Sequence, residues 1–426
     1  MSMYNNNITN RIIDPVFDRQ NLRTEWRLNS DTVYLTNWRL LGLGITGDST
    51  TDSNEILGTN SCIQSIHIYD GNELLCQINE SSRWNVFKTL NSRNDGNISV
   101  NRYTTNNNVG YIGAGMTVIN TDGKPKKDGV KISTAQPVSD GVGATVEDSK
   151  EGWVSLKQMM PLLDASLTIP TTIFKKLRLV INWKNASQLK EVVKDSTVTN
   201  LLNLPNPILV VDEVNDGELK ENYIKEYQGA SFKEVEHDRV VMDAVTGLSA
   251  GVTVKNQSKN WLVNGFNNKT LHNLVVMTTP TDTATYRNGT DNLQYGNQGS
   301  MSQMNLVTQF RINGQNKLTG NGWDSKNQRL NNLVDTFGDF NIFTGQNLVW
   351  LDEGENCIES ADDRVGQLDY TGIEISERIN EFQLTLRRDG VYENPQTSQM
   401  LLINLYGEVD KAITLTKNGG YNVFYS

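Results

Sequence analysis

The chain has 426 residues, 37% of them hydrophobic and 8% aromatic, and a formal net charge of −10. That length allows two large domains with separate cores, while the acidic balance argues against a protein that grips a phosphate backbone through basic stripes. Asparagine supplies roughly an eighth of the residues, well above ordinary usage, and its fitness for turns and left-handed backbone predicts many short strands and much loop.

No apolar run approaches the ~20 residues of a membrane-spanning helix, and Met1-Ser2-Met3-Tyr4-Asn5 does not open a signal peptide, so synthesis in a reducing cytoplasm is expected. Residues 1–22 are polar and lack periodicity, which reads as an arm that orders only on contact. A strand-like run, Thr32–Leu43, precedes Ile63-Gln64-Ser65-Ile66-His67-Ile68-Tyr69, which alternates apolar and polar residues into Asp70-Gly71-Asn72 and resumes at Leu74. Alternation into an Asp-Gly or Asn-Gly turn is the strongest short-range hairpin signal. A short amphipathic stretch, Arg83–Leu90, follows. Residues 91–151 are then dominated by Gly, Asn, Asp and Lys around Asp122–Gly129, as in a projecting loop or a pair of hairpins joined by one. Helical spacing over Val154–Met160 stops at Pro161, and strands are expected at Leu177–Trp183 and Ile208–Val211. The charged segment Asn215–Gln228 reads as a linker helix.

The second half repeats that order. A strand-like run, Thr270–Met277, precedes Leu306-Val307-Thr308-Gln309-Phe310-Arg311-Ile312, which alternates into Asn313-Gly314-Gln315 and resumes at Leu318. An amphipathic stretch, Arg329–Asp335, comes next, and the strands Phe382–Leu386 and Leu401–Tyr406 close the series. Polar loops at Arg287–Gly299 and Asp352–Asp363 interrupt it. The halves share an order of periodicities and little identity, as an old duplication would leave them. Strands at short intervals with few helices indicate an all-β chain of two consecutive eight-stranded sandwiches, or jelly rolls. The expected partition is an arm at 1–22, a first jelly roll at 23–212 carrying the 91–151 insertion, and a second at 213–426.

Chemistry-bearing motifs fail on context. Gly42-Leu43-Gly44-Ile45-Thr46-Gly47 has dinucleotide-fingerprint spacing, but the polar run Asp48–Ser53 stands where a helix N-terminus is required. Gly247-Leu248-Ser249-Ala250-Gly251 matches a nucleophile elbow, yet Val252-Thr253-Val254 continues as strand. His67, His237 and His272 fall in separate strands without the helical spacing of zinc ligands. Cys62, Cys76 and Cys357 have no metal spacing and read as free thiols, although Cys62 and Cys76 flank one hairpin. The acidic run Asp352-Glu353-Gly354-Glu355 reads as a solvated loop. No catalytic, cofactor-binding or metal-ligating residue is assigned, and no cofactor is expected.

The runs Asp31–Leu40, Cys62–Glu73, Ile173–Ile181 and Pro207–Glu213 resemble the double jelly-roll major capsid proteins of icosahedral DNA viruses. That lineage includes adenoviruses, tailless membrane-containing phages, virophages and Polinton-like viruses. The resemblance is one of pattern and covers most of the chain. It implies a homotrimer of pseudo-hexagonal outline, strands roughly normal to a virion shell, and outer loops forming a tower. Neighbouring capsomers and minor capsid or penton proteins would be its partners. An internal membrane is a further partner the lineage allows, and sequence-specific nucleic-acid binding is not expected. The alternatives are a carbohydrate-active or receptor-binding sandwich (a lectin-like module, viral spike or glycosidase), with Trp26, Trp38, Trp153, Trp261, Trp323 and Trp350 as stacking platforms, or a minor capsid or penton protein, which generally needs only one jelly roll. The apolar neighbours of these tryptophans favour core packing instead.

Overall fold

In the computed structural model the alternating runs are strands. The structure describes residues 7–19, 22–41, 52–53, 63–81, 84, 130–131, 153–184, 207–242, 253–280, 306–318, 320, 322, 328, 332, 335–336, 370–391 and 401–425. The first half contains β1 (Ile8–Ile13), β2 (Phe17–Arg19), β3 (Arg23–Arg27), β4 (Val33–Leu35), β5 (Arg39–Leu41), β6 (Asp52–Ser53), β7 (Ile63–Asp70) and β8 (Glu73–Asn79). It continues with β9 (Val130–Lys131), β10 (Trp153–Ser155), helices α1 (Leu156–Met159) and α2 (Pro161–Ala165), β11 (Thr168–Pro170), β12 (Leu177–Trp183) and β13 (Ile208–Val214). Helix α3 (Gly217–Glu226) leads into β14 (Gly229–Met242), β15 (Thr253–Leu262), β16 (Thr270–Pro280), β17 (Leu306–Ile312) and β18 (Gln315–Asn316). The chain then closes with β19 (Tyr370–Arg378), β20 (Phe382–Val391), β21 (Leu401–Leu415) and β22 (Tyr421–Tyr425).

The two halves pair their strands in the same order. In the second half β14 pairs β21, β21 pairs β16 and β16 pairs β19, while a separate sheet runs β15-β20-β17-β18. In the first half β1 pairs β13, β13 pairs β4 and β5, and those pair β11 and β10, while β3-β12-β7-β8 forms the other sheet. Taking β4 with β5 as one broken strand and β10 with β11 as another, each half places its first, eighth, third and sixth strands in one sheet. The second, seventh, fourth and fifth lie in the other. That is the jelly-roll order, and the fold is a double jelly roll.

Main-chain hydrogen bonds repeat as well. Leu28 N donates to Leu177 O (3.0 Å) and Gly71 N to Lys176 O (3.1 Å). In the second half Val263 N donates to Phe382 O (2.9 Å) and Asn313 N to Glu381 O (2.9 Å). Each third strand is also entered through a left-handed Asx residue, Asp31 at φ 61° and Asn268 at φ 64°, a conformation that side-chain type tolerates.

Three details depart from the sequence expectation. The first hairpin loop is Gly71–Asn72, one residue later than expected, because a bulge between Ile68 and Tyr69 shifts the register so that Asp70 pairs Glu73. Pro161 does end one helix, but it also opens the next as its first residue, where its missing N–H costs nothing. Residues 7–19 of the arm pair within their own chain. Its β1 runs antiparallel along β13 from Ile8↔Val214 to Ile13↔Leu209, and β2 pairs β3. The linker helix forms as expected, with Asp216 Oδ1 accepting from Leu219 N at 2.8 Å. Most of the insertion at 91–151 and both amphipathic stretches, Arg83–Leu90 and Arg329–Asp335, lie largely outside the described residues. Within them, β9 pairs β6, so the insertion meets the connection between the third and fourth strands.

The jelly rolls join edge to edge. The β14 edge of one meets the β8 edge of the other in a parallel contact at Val235↔Ile78, giving a ten-stranded sheet. One core fills the first half between its sheets and takes in Phe232, Val235, Tyr406 and Ile413 from the second. The other lies around Phe266, Phe310, Phe382 and Leu384.

Glycine matters most at Gly229, where β14 enters the sheet at φ 100° and a Cβ would stand 2.1 Å from Ile413 O. Gly229→Ala is expected to lose about 2–3 kcal/mol, the range of strained and overpacked sites, read as a lowered Tm with the strand content of the folded protein unchanged.

Candidate assembly surfaces and the junction of the two jelly rolls

Both glycine motifs considered from sequence, Gly42–Gly47 and Gly247–Gly251 with Ser249, lie outside the described residues, as do Cys62, Cys357 and Asp352–Asp363. His67 and His237 line one open concavity with Asn79, Glu80, Asp238 and Arg239, and His272 is not among its lining residues. His67 faces Tyr69 on β7 with ring centroids 5.9 Å apart. His237 Nε2 lies 3.1 Å from Asn404 Oδ1, with its ring 4.8 Å from Tyr406. His272 Nε2 lies 2.8 Å from Asp410 Oδ2. Cys76 is buried, and burial pushes its thiol up, the opposite of a nucleophile's environment. Among the described residues no three His, Cys, Asp or Glu side chains converge as metal ligands. Trp26, Trp38, Trp84 and Trp183 are buried core residues and offer no platform to a sugar. The side chains of Trp153, Trp323 and Trp350 lie outside the described residues.

The densest polar chemistry sits where the jelly rolls meet. Glu234 on β14 is fully buried and its Oε1 accepts from the main-chain N–H of Gln77 on β8 at 2.8 Å. Lys411 Nζ donates to both carboxylate oxygens (2.9 and 3.0 Å), and the Tyr425 hydroxyl donates to Oε2 at 2.6 Å. That hydroxyl also reaches Glu236 Oε1 at 2.9 Å, and Glu236 takes Lys269 Nζ at 2.6 Å. Lys269 and Lys411 stand 4.4 and 5.0 Å from the centroid of the Tyr425 ring. Burial pushes the Glu234 carboxyl above its usual range, against the pull of Lys411 and Tyr425. Its burial, with the carboxylates beside it, also pushes the Tyr425 phenol up, so the phenol stays protonated as a donor.

Further bonds cross the same seam. The Tyr406 hydroxyl donates to Glu80 O (3.0 Å), Arg239 pairs Glu80 (2.8 Å) and Trp84 stacks on Tyr406 at 5.7 Å. Tyr421 donates to Asp70 Oδ2 (2.8 Å) and packs on Phe174 at 4.9 Å. This network joins the two jelly rolls. The sequence reading missed it, although period-two spacing puts Glu234 and Glu236 on the face of Phe232, and Lys411 on the face of Val409 and Ile413. Acid and base on inward faces of two strands were the available signal.

The outer surface shows a different feature. Ile12, Val16, Phe17 and Leu22 are 46–66% exposed, and they make up half of the eight large apolar residues left exposed among those described. They sit on or beside β1 and β2, strands held by polar bonds: Arg11 pairs Glu213, and Asn215 Nδ2 donates to Thr9 Oγ1. The segment is held by its ladders and these polar bonds while four of its apolar side chains stay exposed.

Comparison with solved structures places the fold. PBCV-1 VP54, fitted into a cryo-EM reconstruction of the virophage Sputnik, superposes with a TM-score of 0.53 at 12% identity, covering 100% of this chain and 99% of that one. The Faustovirus major capsid protein gives 0.52 at 7% identity, covering 96% and 90%. The Sputnik virophage structure gives 0.50 at 13% identity, covering 99% and 88%. No family model and no curated protein sequence matches the chain. The likeness is one of fold, a double jelly roll shared from end to end with major capsid proteins.

Two outcomes are expected. Lys411→Met should cost about 3–5 kcal/mol by stranding a buried carboxylate, and adding Glu234→Gln should recover most of that loss in denaturant unfolding. Burial holds His67 below its ordinary 6.5. The unfolded chain therefore takes up that proton first, so His67 contributes stability above about pH 6.5 that is lost as pH falls below it. His67→Gln should flatten the stability–pH slope in that window, and an unchanged slope would place the dependence elsewhere.

Proposed function

We propose that the chain is a structural subunit of an icosahedral virion shell, a major capsid protein whose trimers are the bricks. The observation that carries this is the end-to-end sharing of a two-jelly-roll fold with capsid proteins, with neither half left over. A single jelly roll serves many binding roles, and fold alone does not choose among them. Two in tandem, fused through a buried charged seam into one continuous sheet, make a rigid wedge pair. Three copies around a three-fold axis would present six similar wedges and a near-hexagonal outline, and closed cyclic symmetry is the usual state of soluble homo-oligomers.

The apolar residues on β1 and β2 would be covered by a neighbouring subunit, and the net negative charge would keep unassembled protein soluble. The insertion at 91–151 would stand on the outer face, since it leaves β8 at the end of the strand opposite the Gly71–Asn72 turn. Minor capsid or penton proteins are the expected further partners, the virion is the expected location after synthesis in host cytoplasm, and the role requires no catalytic centre.

Mass photometry of the purified chain should show a trimer across micromolar concentrations, and negative-stain images should show particles of hexagonal outline. Replacing Ile12 and Phe17 with Ser should shift the population towards monomer while each monomer stays folded. A wild-type protein that is monomeric throughout would overturn the reading.

A further inference from the structure

The turn end of the first jelly roll holds a crevice of about 740 Å³ between the link after β3, the Gly71–Asn72 turn and the entry to β12. Four cations line it, Arg27, Lys175, Lys176 and Arg178, and no carboxylate does. We propose that this crevice is a binding site for a phosphate group.

Glu25, Asp70 and Asp31, three of the acids near it, are already engaged, while Glu73 after the turn is exposed. Glu25, buried on β3, is shared by three guanidiniums, Arg23 at 3.0 Å, Arg27 at 3.4 Å and Arg178 at 3.3 Å. One carboxylate cannot neutralise three arginines, so positive charge is left over at that wall. Asp70 gives Oδ1 to the Lys176 main-chain N–H at 2.6 Å and Oδ2 to the Tyr421 hydroxyl at 2.8 Å, and Asp31 takes the Ser30 hydroxyl at 3.4 Å. Lys175 and Lys176 are exposed and have no ion-pair partner among the described residues. The Lys176 stem runs past the turn, its Cδ 3.8 Å from where a Cβ on Gly71 would stand. Arg178 is fixed with its guanidinium 4.6 Å from the Tyr69 ring centroid, and its buried Nε has no hydrogen-bond partner. Two flexible ammoniums facing two planar forks suit a tetrahedral oxyanion with several oxygens.

The second jelly roll supplies an internal control. Its repeated main-chain bonds and strand registers match Lys176 with Glu381, Lys175 with Asn380, Arg27 with Leu262 and Arg178 with Gln383. None of the four is basic, and there Asn313 closes the turn itself, with Oδ1 accepting from Asn380 N at 2.8 Å and Nδ2 donating to Arg378 O at 2.8 Å. The jelly roll therefore folds without cations at these four positions, and Arg311 beside the equivalent turn is taken up by Gly314 O at 3.3 Å. On an acidic chain, four of them in one concavity answer a demand other than folding. If the insertion faces outward as proposed above, the crevice faces the inside of the shell, where the phosphate would be free or carried on a lipid headgroup.

The test uses the full chain, titrated calorimetrically with inorganic phosphate and floated with phosphatidylcholine vesicles with and without phosphatidic acid. Saturable binding of phosphate alone assigns the free anion. Flotation that requires phosphatidic acid and is competed by phosphate assigns the headgroup. Lys175→Asn with Lys176→Glu, which installs the second jelly roll's residues, should weaken binding by roughly tenfold or more, with Tm and oligomer mass unchanged. The same charge change on α3, Lys225→Asn with Lys220→Glu, should leave binding as in the wild type. The proposal is overturned if neither probe binds or if the α3 variant loses as much as the crevice variant. Oligomer mass is read in the same samples. A monomer that still binds phosphate would sink the capsid reading and leave the crevice standing.

Discussion

An open sheet edge is a row of unpaired main-chain donors and acceptors, and this molecule has to close two of them against each other. The ladder between β8 and β14 amounts to one parallel bridge, too little to hold two domains. The Glu234 carboxylate supplies what the ladder lacks by accepting the Gln77 N–H across the seam. A carboxylate buried there needs a counter-charge, so Lys411 lies beside it on the next strand. Lys411 and the second oxygen of Glu234 in turn call for Tyr425, which places β22 against β21. The course of the C-terminal segment thus follows from one buried charge at the domain edge.

Strands β1 and β22, near the two ends of the chain, are both placed by pairings their sequences do not advertise. The arm at 1–22 lacks a core of its own and from sequence reads as a segment that orders only on contact, and the segment Gly419–Tyr425 is as short of a core. The partner of β1 is β13, and the partner of β22 is β21. Each segment therefore finds its ladder on its own chain, one of them very far along it. Local periodicity cannot report such a partner, and in β1 it is blurred further because Ile12 faces out.

The hairpins were legible because everything that specifies them is local. Alternation fixes the face, and a two-residue loop fixes the register. Even there the bulge at Ile68/Tyr69 moved the first loop from Asp70-Gly71 to Gly71-Asn72, since a bulge is set by cross-strand packing. The jelly-roll class was legible from the spacing of strands. The edge-to-edge seam was not, because it depends on which strand faces which, although Lys411 was a visible break in an apolar face and Glu234 and Glu236 shared the face of Phe232.

The bonds that recur between the halves also explain how the fold outlasts sequence likeness. Leu28 to Leu177 and Val263 to Phe382, like Gly71 to Lys176 and Asn313 to Glu381, are main-chain contacts, which any residue but proline can make. What the topology requires of those positions is backbone direction and, at two of them, tolerance of a left-handed turn. Side chains there are then free to diverge, as Lys176 and Glu381 have. A fold held this way can be shared from end to end with capsid proteins at 7–13% identity. Identity persists least where only the backbone is used, so differences between equivalent positions of the two halves are the place to look for what each half does separately.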